Sequence, residues 1–206
     1  MLSTVISLGD RLKKAILCAL ALSVFVSTKS GAAPLDSNSG LAKVSLIRLN
    51  RETKLSFQPI SDQGFVLVAI RDCSLLIDGK SALLKAGDYQ KIPGIQSLEL
   101  SQSGPMPVPL VLIKVVSTIQ PLTIETTTLA RHQELVDASD RNTTLLIAID
   151  PLRLRDVRDL ADDEPWKSGP QKTIELQEGQ TAWLLRGVHR LRNSGKTATR
   201  FVTVEW

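Results

Sequence analysis

The chain has 206 residues, 43% of them apolar and 22% charged, which excludes a disordered polymer and fits one large or two small globular domains. Aromatic residues are only 4%, too few for a platform that stacks single-stranded nucleic acid or sugars. The net charge of +4 is misleading: residues 1–32 hold Arg11, Lys13, Lys14 and Lys29 against Asp10, a net of +3, which leaves +1 for the rest and no clustered basic face for nucleic acid.

Residues 1–32 read as an export signal. Arg11, Lys13 and Lys14 form the basic region, 15–28 (AILCALALSVFVST) the apolar one, and Ser30 to Ala33 supply the small residues a signal peptidase accepts, with cleavage after Ala32. The apolar run is shorter than the roughly 20 residues that span a bilayer. No second run of that length follows, so the expectation is a periplasmic or secreted protein with no membrane span after cleavage. Cys18 lies inside the apolar run after Leu17, which is not a lipoprotein pattern. Cleavage leaves Cys73 as the one cysteine, unable to form an internal disulfide and expected to be a small buried hydrophobe. Residues 33–43 (APLDSNSGLAK) are small and polar and predict a flexible arm.

From 44 onward, short runs rich in Val, Ile and Leu alternate with turn residues. Strands are predicted at 44–49, 53–57, 65–70, 74–77, 80–84, 89–92, 97–101 and 108–116, then, after a link at 117–121, at 122–129, 144–149, 152–157, 173–176, 181–186, 189–193 and 197–206. Asp78-Gly79 marks a two-residue hairpin. Residues 129–138 alone offer a helical alternative. The two halves repeat one another. Residues 65–70 (FVLVAI) match 144–149 (TLLIAI), 83–87 match 174–179 with a glycine closing each, 98–104 (LELSQSG) match 189–195 (HRLRNSG), and 111–115 are aligned with 201–205. An insert at 158–172 interrupts the second copy. Such self-similarity implies two copies of one β unit of roughly 75–85 residues.

In the first copy, Gly87 is followed after five residues by Pro93, with Gly94 next to it and Leu98 and Gln102 beyond. In the second copy Gly179 opens the segment and Gly187-Val188-His189-Arg190-Leu191-Arg192-Asn193 closes it, with Leu185 in place of the proline. This pattern resembles the second motif of the cupins: a glycine, five residues, then P-x-G-x-x-H-x-x-x-N. The resemblance covers nearly the whole chain after residue 43. It implies an all-β protein built as a double-stranded β-helix, the jelly-roll barrel, in two tandem cupin-like domains at 44–117 and 122–206. It also implies a homodimer through barrel edges as the assembly to look for.

In metal-binding cupins the first motif supplies H-x-H and a glutamate, joined by the histidine of the second motif, a set that suits Fe, Mn, Ni or Zn. This chain has only two histidines, His132 and His189. Residues 54–65 (KLSFQPISDQGF), where the first copy would carry its ligands, contain no imidazole, and Leu98 occupies the position of the second-motif histidine. His132 and Glu134 lie two apart, which would place them on one face of a strand, but they fall about five residues upstream of the expected ligand strand. A degenerate His132/Glu134/His189 centre is therefore set below a surface His132. Alternation directs His189, Leu191 and Asn193 inward and Arg190 and Arg192 outward, as it does Leu98, Leu100 and Gln102 against Glu99 and Ser101. His189 is thus expected to be a hydrogen-bonded core or rim histidine, and His189 and Asn193 are the candidate ligand-binding residues.

Residues 152–157 (LRLRDV) read as a half-exposed strand with Arg153 and Arg155 in water. The 158–172 insert (RDLADDEPWKSGPQK) reads as a solvated loop packed by Trp166, its Asp162, Asp163 and Glu164 lacking any calcium-loop spacing. Asn142-Thr143-Thr144 fits a glycosylation triplet. No G-x-S-x-G, phosphate-binding loop or dinucleotide fingerprint is present. The expectation is an exported cupin-fold protein without a cofactor, a binding or structural module for an unidentified small molecule or protein. Its rival is a divergent metal-dependent cupin enzyme, dioxygenase- or isomerase-like, with a single Fe, Mn, Ni or Zn ion near His189.

Overall fold

The computed structural model describes residues 38–51, 54–94, 97–118, 121–137, 143–159, 168–185 and 187–206. The segment read as an export signal, with Cys18, and Asn142, Asp162, Asp163, Glu164 and Trp166 lie outside them. Every described element is a strand, and none of the described residues forms a helix long and apolar enough to cross a membrane.

The first half holds β1 (Asn38–Ser39), β2 (Ala42–Leu49), β3 (Leu55–Phe57), β4 (Phe65–Ala69), β5 (Cys73–Ile77), β6 (Lys80–Leu84), β7 (Tyr89–Ile92), β8 (Leu98–Gln102) and β9 (Val108–Val115). The second holds β10 (Thr123–Leu129), β11 (Glu134–Asp137), β12 (Thr144–Ala148), β13 (Leu152–Asp159), β14 (Ser168–Leu176), β15 (Thr181–Leu184), β16 (Val188–Asn193) and β17 (Thr199–Glu205). The sheet orders are β1-β2-β9-β4-β7 with β3-β8-β5-β6, and β10-β17-β12-β15 with β11-β16-β13-β14. Apart from β1, the second pair of sheets repeats the first strand for strand. Asp78 and Gly79 turn the β5–β6 hairpin with φ of 48° and 76°, as a two-residue loop with both central residues left-handed requires.

Three apolar cores hold these sheets. One fills the first barrel around Phe65, Leu67, Leu98, Leu100, Leu110 and Leu112. A second fills the other barrel around Leu146, Leu154, Leu191 and Phe201. The third lies between the barrels, where Val66, Val68, Ile70, Val111 and Ile113 meet Leu145, Ile147, Ile149, Val202 and Val204. This explains why FVLVA is apolar at every position and TLLIA at every position after Thr144. In β4 and β12 one set of alternate side chains enters a barrel and the other set enters the shared core, so both faces are buried. Trp183 and Trp206 close the shared core, their ring centroids 5.1 Å apart.

The glycines that open the two second-motif segments also serve this interface. Gly87 and Gly179 have φ of 93° and 77°, and both are approached by the other barrel. A Cβ on Gly87 would stand 2.9 Å from Thr126 Cγ2, and one on Gly179 would stand 2.8 Å from Leu46 Cδ1. Leu46 and Thr126 are equivalent, since they pair with Val111 and Val202 in β9 and β17. The contact is therefore made twice, once from each side.

Several expectations are corrected. Strand pairing starts at Asn38, within the segment read as an arm, because Ala42 is buried in the shared core and Asn38 pairs with Lys43. Residues 129–138 contain no helix among the described residues: Ala130 to Gln133 turn the chain and β11 then pairs with β16. The insert is not all loop, since β13 runs to Asp159 and β14 starts at Ser168, with a register shift between Val157 and Asp159. The alignment of 111–115 with 201–205 is one residue out. Val68 pairs with Val111 and its equivalent Ile147 pairs with Val202, so Leu110 corresponds to Phe201. A one-residue slip exchanges the two faces of a strand, but β9 has apolar residues on both and β17 has apolar and polar residues on both, so their pattern does not disclose the register.

Candidate functional site

The row His189, Leu191, Asn193 on β16 faces into the second barrel, with Arg190 and Arg192 outside, and Leu98, Leu100, Gln102 on β8 face into the first. The inward direction expected for both rows is what the structure shows. His189 is buried. Its Nδ1 lies 2.9 and 3.0 Å from the two carboxylate oxygens of Asp156 on β13, and its Nε2 lies 2.7 Å from the carbonyl oxygen of Leu185. A carbonyl oxygen only accepts, so Nε2 carries a hydrogen and donates it. The Nδ1–Asp156 contact then holds a further shared proton, and the two side chains act as one charge-assisted unit. That unit ties β16 to β13 and to the segment preceding β16.

Asp156 is the residue sequence reasoning missed. Its signal was present: in LRLRDV the residues Leu152, Leu154 and Asp156 share one face, and a lone acid on an apolar face needs a partner. In the ladder Asp137 and Arg158 stand opposite His189.

Asn193 is fully buried and works at the other end of β16. Its Nδ2 donates to the carbonyls of Leu129 (3.0 Å) and Thr197 (2.9 Å), and its Oδ1 accepts from the Gly195 amide (2.9 Å). It pins the turn into β17 and the end of β10. Gln102, its counterpart, donates from Nε2 to the carbonyls of Gly104 (3.1 Å) and Met106, but its Oε1 is buried with no partner.

His132 and Glu134 do not join His189. His132 is exposed in a left-handed turn conformation (φ 63°), not on a strand. Glu134 is exposed and pairs with Arg192, three ladder steps from His189, or about 10 Å at ~3.3 Å per residue. Cys73 is half-buried against the first barrel's core; burial, then Asp72 and Asp88, pushes its thiol up to about 11, so it stays protonated and unreactive at neutral pH.

No family model matches the chain, and no curated protein does. Solved structures do. AerE from Microcystis aeruginosa is 11% identical, with a TM-score of 0.59 over 80% of this chain and 87% of its own. A mutant form of salicylate 1,2-dioxygenase from Pseudoaminobacter salicylatoxidans is 9% identical, with a TM-score of 0.56 over 82% of this chain and 74% of its own. A cupin 2 conserved barrel domain protein from Leptotrichia buccalis is 9% identical over 81% of this chain and 84% of its own, with a TM-score of 0.47. With four antiparallel sheets arranged as two facing pairs, the chain has the cupin fold, an all-β jelly roll. At these identities the likeness is one of fold alone, and a fold hosts many functions.

The residues present do not fit the metal that metal-binding cupins hold. In the first barrel Phe57 of β3 pairs with Leu98 of β8, and both pack in an apolar core. In the second, both nitrogens of His189 are engaged by the protein. Among the described residues no three His, Cys, Asp or Glu side chains converge to hold an ion.

Proposed function

We propose that this chain is an exported, non-catalytic bicupin that serves as a binding or structural module. One observation carries the reading: at the position where cupin ligands converge, one barrel has leucine and the other has a histidine whose two ring nitrogens hold Asp156 and the Leu185 carbonyl. A metal would have to displace the Leu185 carbonyl to reach Nε2, or Asp156 to reach Nδ1. Export rests on the pattern of residues 1–32, and N-terminal sequencing of the protein recovered outside the cytoplasm should begin at Ala33.

The test is elemental analysis of protein purified without chelators and then offered Fe, Mn, Ni or Zn. Under about a tenth of an equivalent is expected, because stoichiometric binding needs a complete ligand set. One equivalent that is lost in His189→Ala would overturn the reading. It would put a metal-dependent dioxygenase- or isomerase-like cupin in its place.

A further inference from the structure

The two barrels differ at the end where β8 and β16 turn into the next strand. In the second, the Gly195 amide supplies the hydrogen that Asn193 Oδ1 accepts. In the first, the connection after Gln102 is Ser103-Gly104-Pro105-Met106-Pro107, and its two prolines remove two backbone donors. Gln102 is 5% exposed, both carbonyls that its amide nitrogen serves lie in this connection, and its Oε1 receives nothing. A buried acceptor without a donor is rare in a native fold and asks for an explanation.

Gln102 also lines a cleft of about 750 Å³, within the size range of small-molecule sites. Leu83 and Met106 line the same cleft and are 81% and 72% exposed, two large apolar side chains left in water. Of the charged groups around it, Lys85 is exposed at the surface and the other three are engaged. Arg71 is bound to Glu178 of the other barrel, Asp72 accepts from the Ala86 amide, and Asp88 accepts from the Lys85 amide. The cleft therefore offers an apolar rim, a neutral balance of charge and one acceptor short of a donor.

We propose that this cleft is the binding site of a small, uncharged, amphipathic molecule whose hydroxyl or amine donates to Gln102 Oε1 while its apolar body covers Leu83 and Met106. The proposal rests on reading the chain as a binding module. Because Oε1 is buried, the proposed binding requires the Gly104–Pro107 connection to move aside for the donor.

Met1 and Met106 are the only methionines, so ε-¹³C-methionine labelling reports directly on the cleft, with Met106→Leu assigning the signal. The probes are hexan-1-ol and 1-methoxyhexane, the same apolar body with and without a donor. The Met106 signal should shift saturably with hexan-1-ol, which should bind about fivefold tighter than the ether, the scale of one net hydrogen bond. Gln102→Leu should erase that preference, and the surface change Leu83→Asp, which threatens no core packing, should weaken both probes. No saturable shift, or equal affinity for the two probes in the unsubstituted chain, would overturn the proposal; the latter would show that Oε1 is satisfied by water alone. Neither outcome bears on metal content, so the failure of this site and the failure of the non-catalytic reading remain separable.

Discussion

At equivalent places in the two ladders the barrels make opposite choices. Ile77 pairs with Leu100 and Asp156 pairs with Leu191, so Leu98 and Ile77 in the first barrel stand where His189 and Asp156 stand in the second. The first barrel closes this end with apolar packing. The second closes it with a charge-assisted pair that also reaches the Leu185 carbonyl. At the opposite end the contrast reverses: Asn193 has its amide hydrogens and its oxygen all engaged, whereas Gln102 has a bare oxygen beside an open cleft. One architecture, present twice, thus has a polar joint in one barrel and a buried acceptor without a donor in the other. Neither difference disturbs the shared core, where the two copies meet through the same rows of valine and isoleucine.

The largest effect should come from breaking the polar pair on one side only. Asp156→Ile takes the carboxylate from Nδ1 of the buried His189 and should cost about 3–5 kcal/mol in urea unfolding. The double change His189→Leu with Asp156→Ile installs the first barrel's pair in the second. It should lie within about 1 kcal/mol of the unsubstituted chain or above it, since replacing both members of a buried pair by packed apolar groups is often neutral or stabilising. A double variant as unstable as the single one would show that the two ends are not interchangeable.

Next comes the pin at the far end. Asn193→Ala strips the buried carbonyls of Leu129 and Thr197 of their donor and should cost about 2–4 kcal/mol. Gln102→Ala should cost less, because it also removes an unsatisfied oxygen. Equal losses would mean that Oε1 has a donor in solution.

The interface glycines should follow, at about 1–3 kcal/mol each by thermal melting. Gly87→Ala should be the worse of the two, since its Cβ would meet the stiff, branched Thr126, whereas Gly179→Ala meets the end of a partly exposed leucine that has room to move.

The smallest effects belong to the exposed ion pairs. Arg200 holds the Asp150 carboxyl below its usual 3.8, and Arg71 holds Glu178 below its usual 4.5, chiefly through side-chain hydrogen bonds. Carboxyls with lowered folded values contribute stability above those pH values and lose it as pH falls through the lowered ones. Asp150→Asn should therefore flatten the acid limb of a stability–pH profile and leave the neutral region nearly unchanged, with the difference shrinking in high salt.

Much of this was legible from the residues. The apolar runs and Asp78-Gly79 marked the strands and a hairpin, the repeat marked two copies, and period-two alternation turned His189 and Asn193 inward. Other features escaped for physical reasons. Residues 134–137 (ELVD) are too short and mixed to declare a strand; β11 exists because it pairs with β16. The shared core and the barrel cores are built from the same residue types, so apolar pattern alone did not show which face met which. Asp156 was readable from its place on the Leu152–Leu154 face, and only the fold showed that His189 was its partner. The missing donor at Gln102 depends on how Pro105 and Pro107 lie against the barrel end, which no spacing rule reports.

The central claim is that His189 is a joint between protein groups and not a ligand for a metal. Its imidazole nitrogens can be observed directly by long-range ¹H–¹⁵N spectroscopy on the folded chain, before and after one equivalent of Zn²⁺. The account predicts a hydrogen on Nε2 and nitrogen signals that stay in place when the metal is added. An Nε2 that loses its hydrogen and shifts with Zn²⁺ would contradict it.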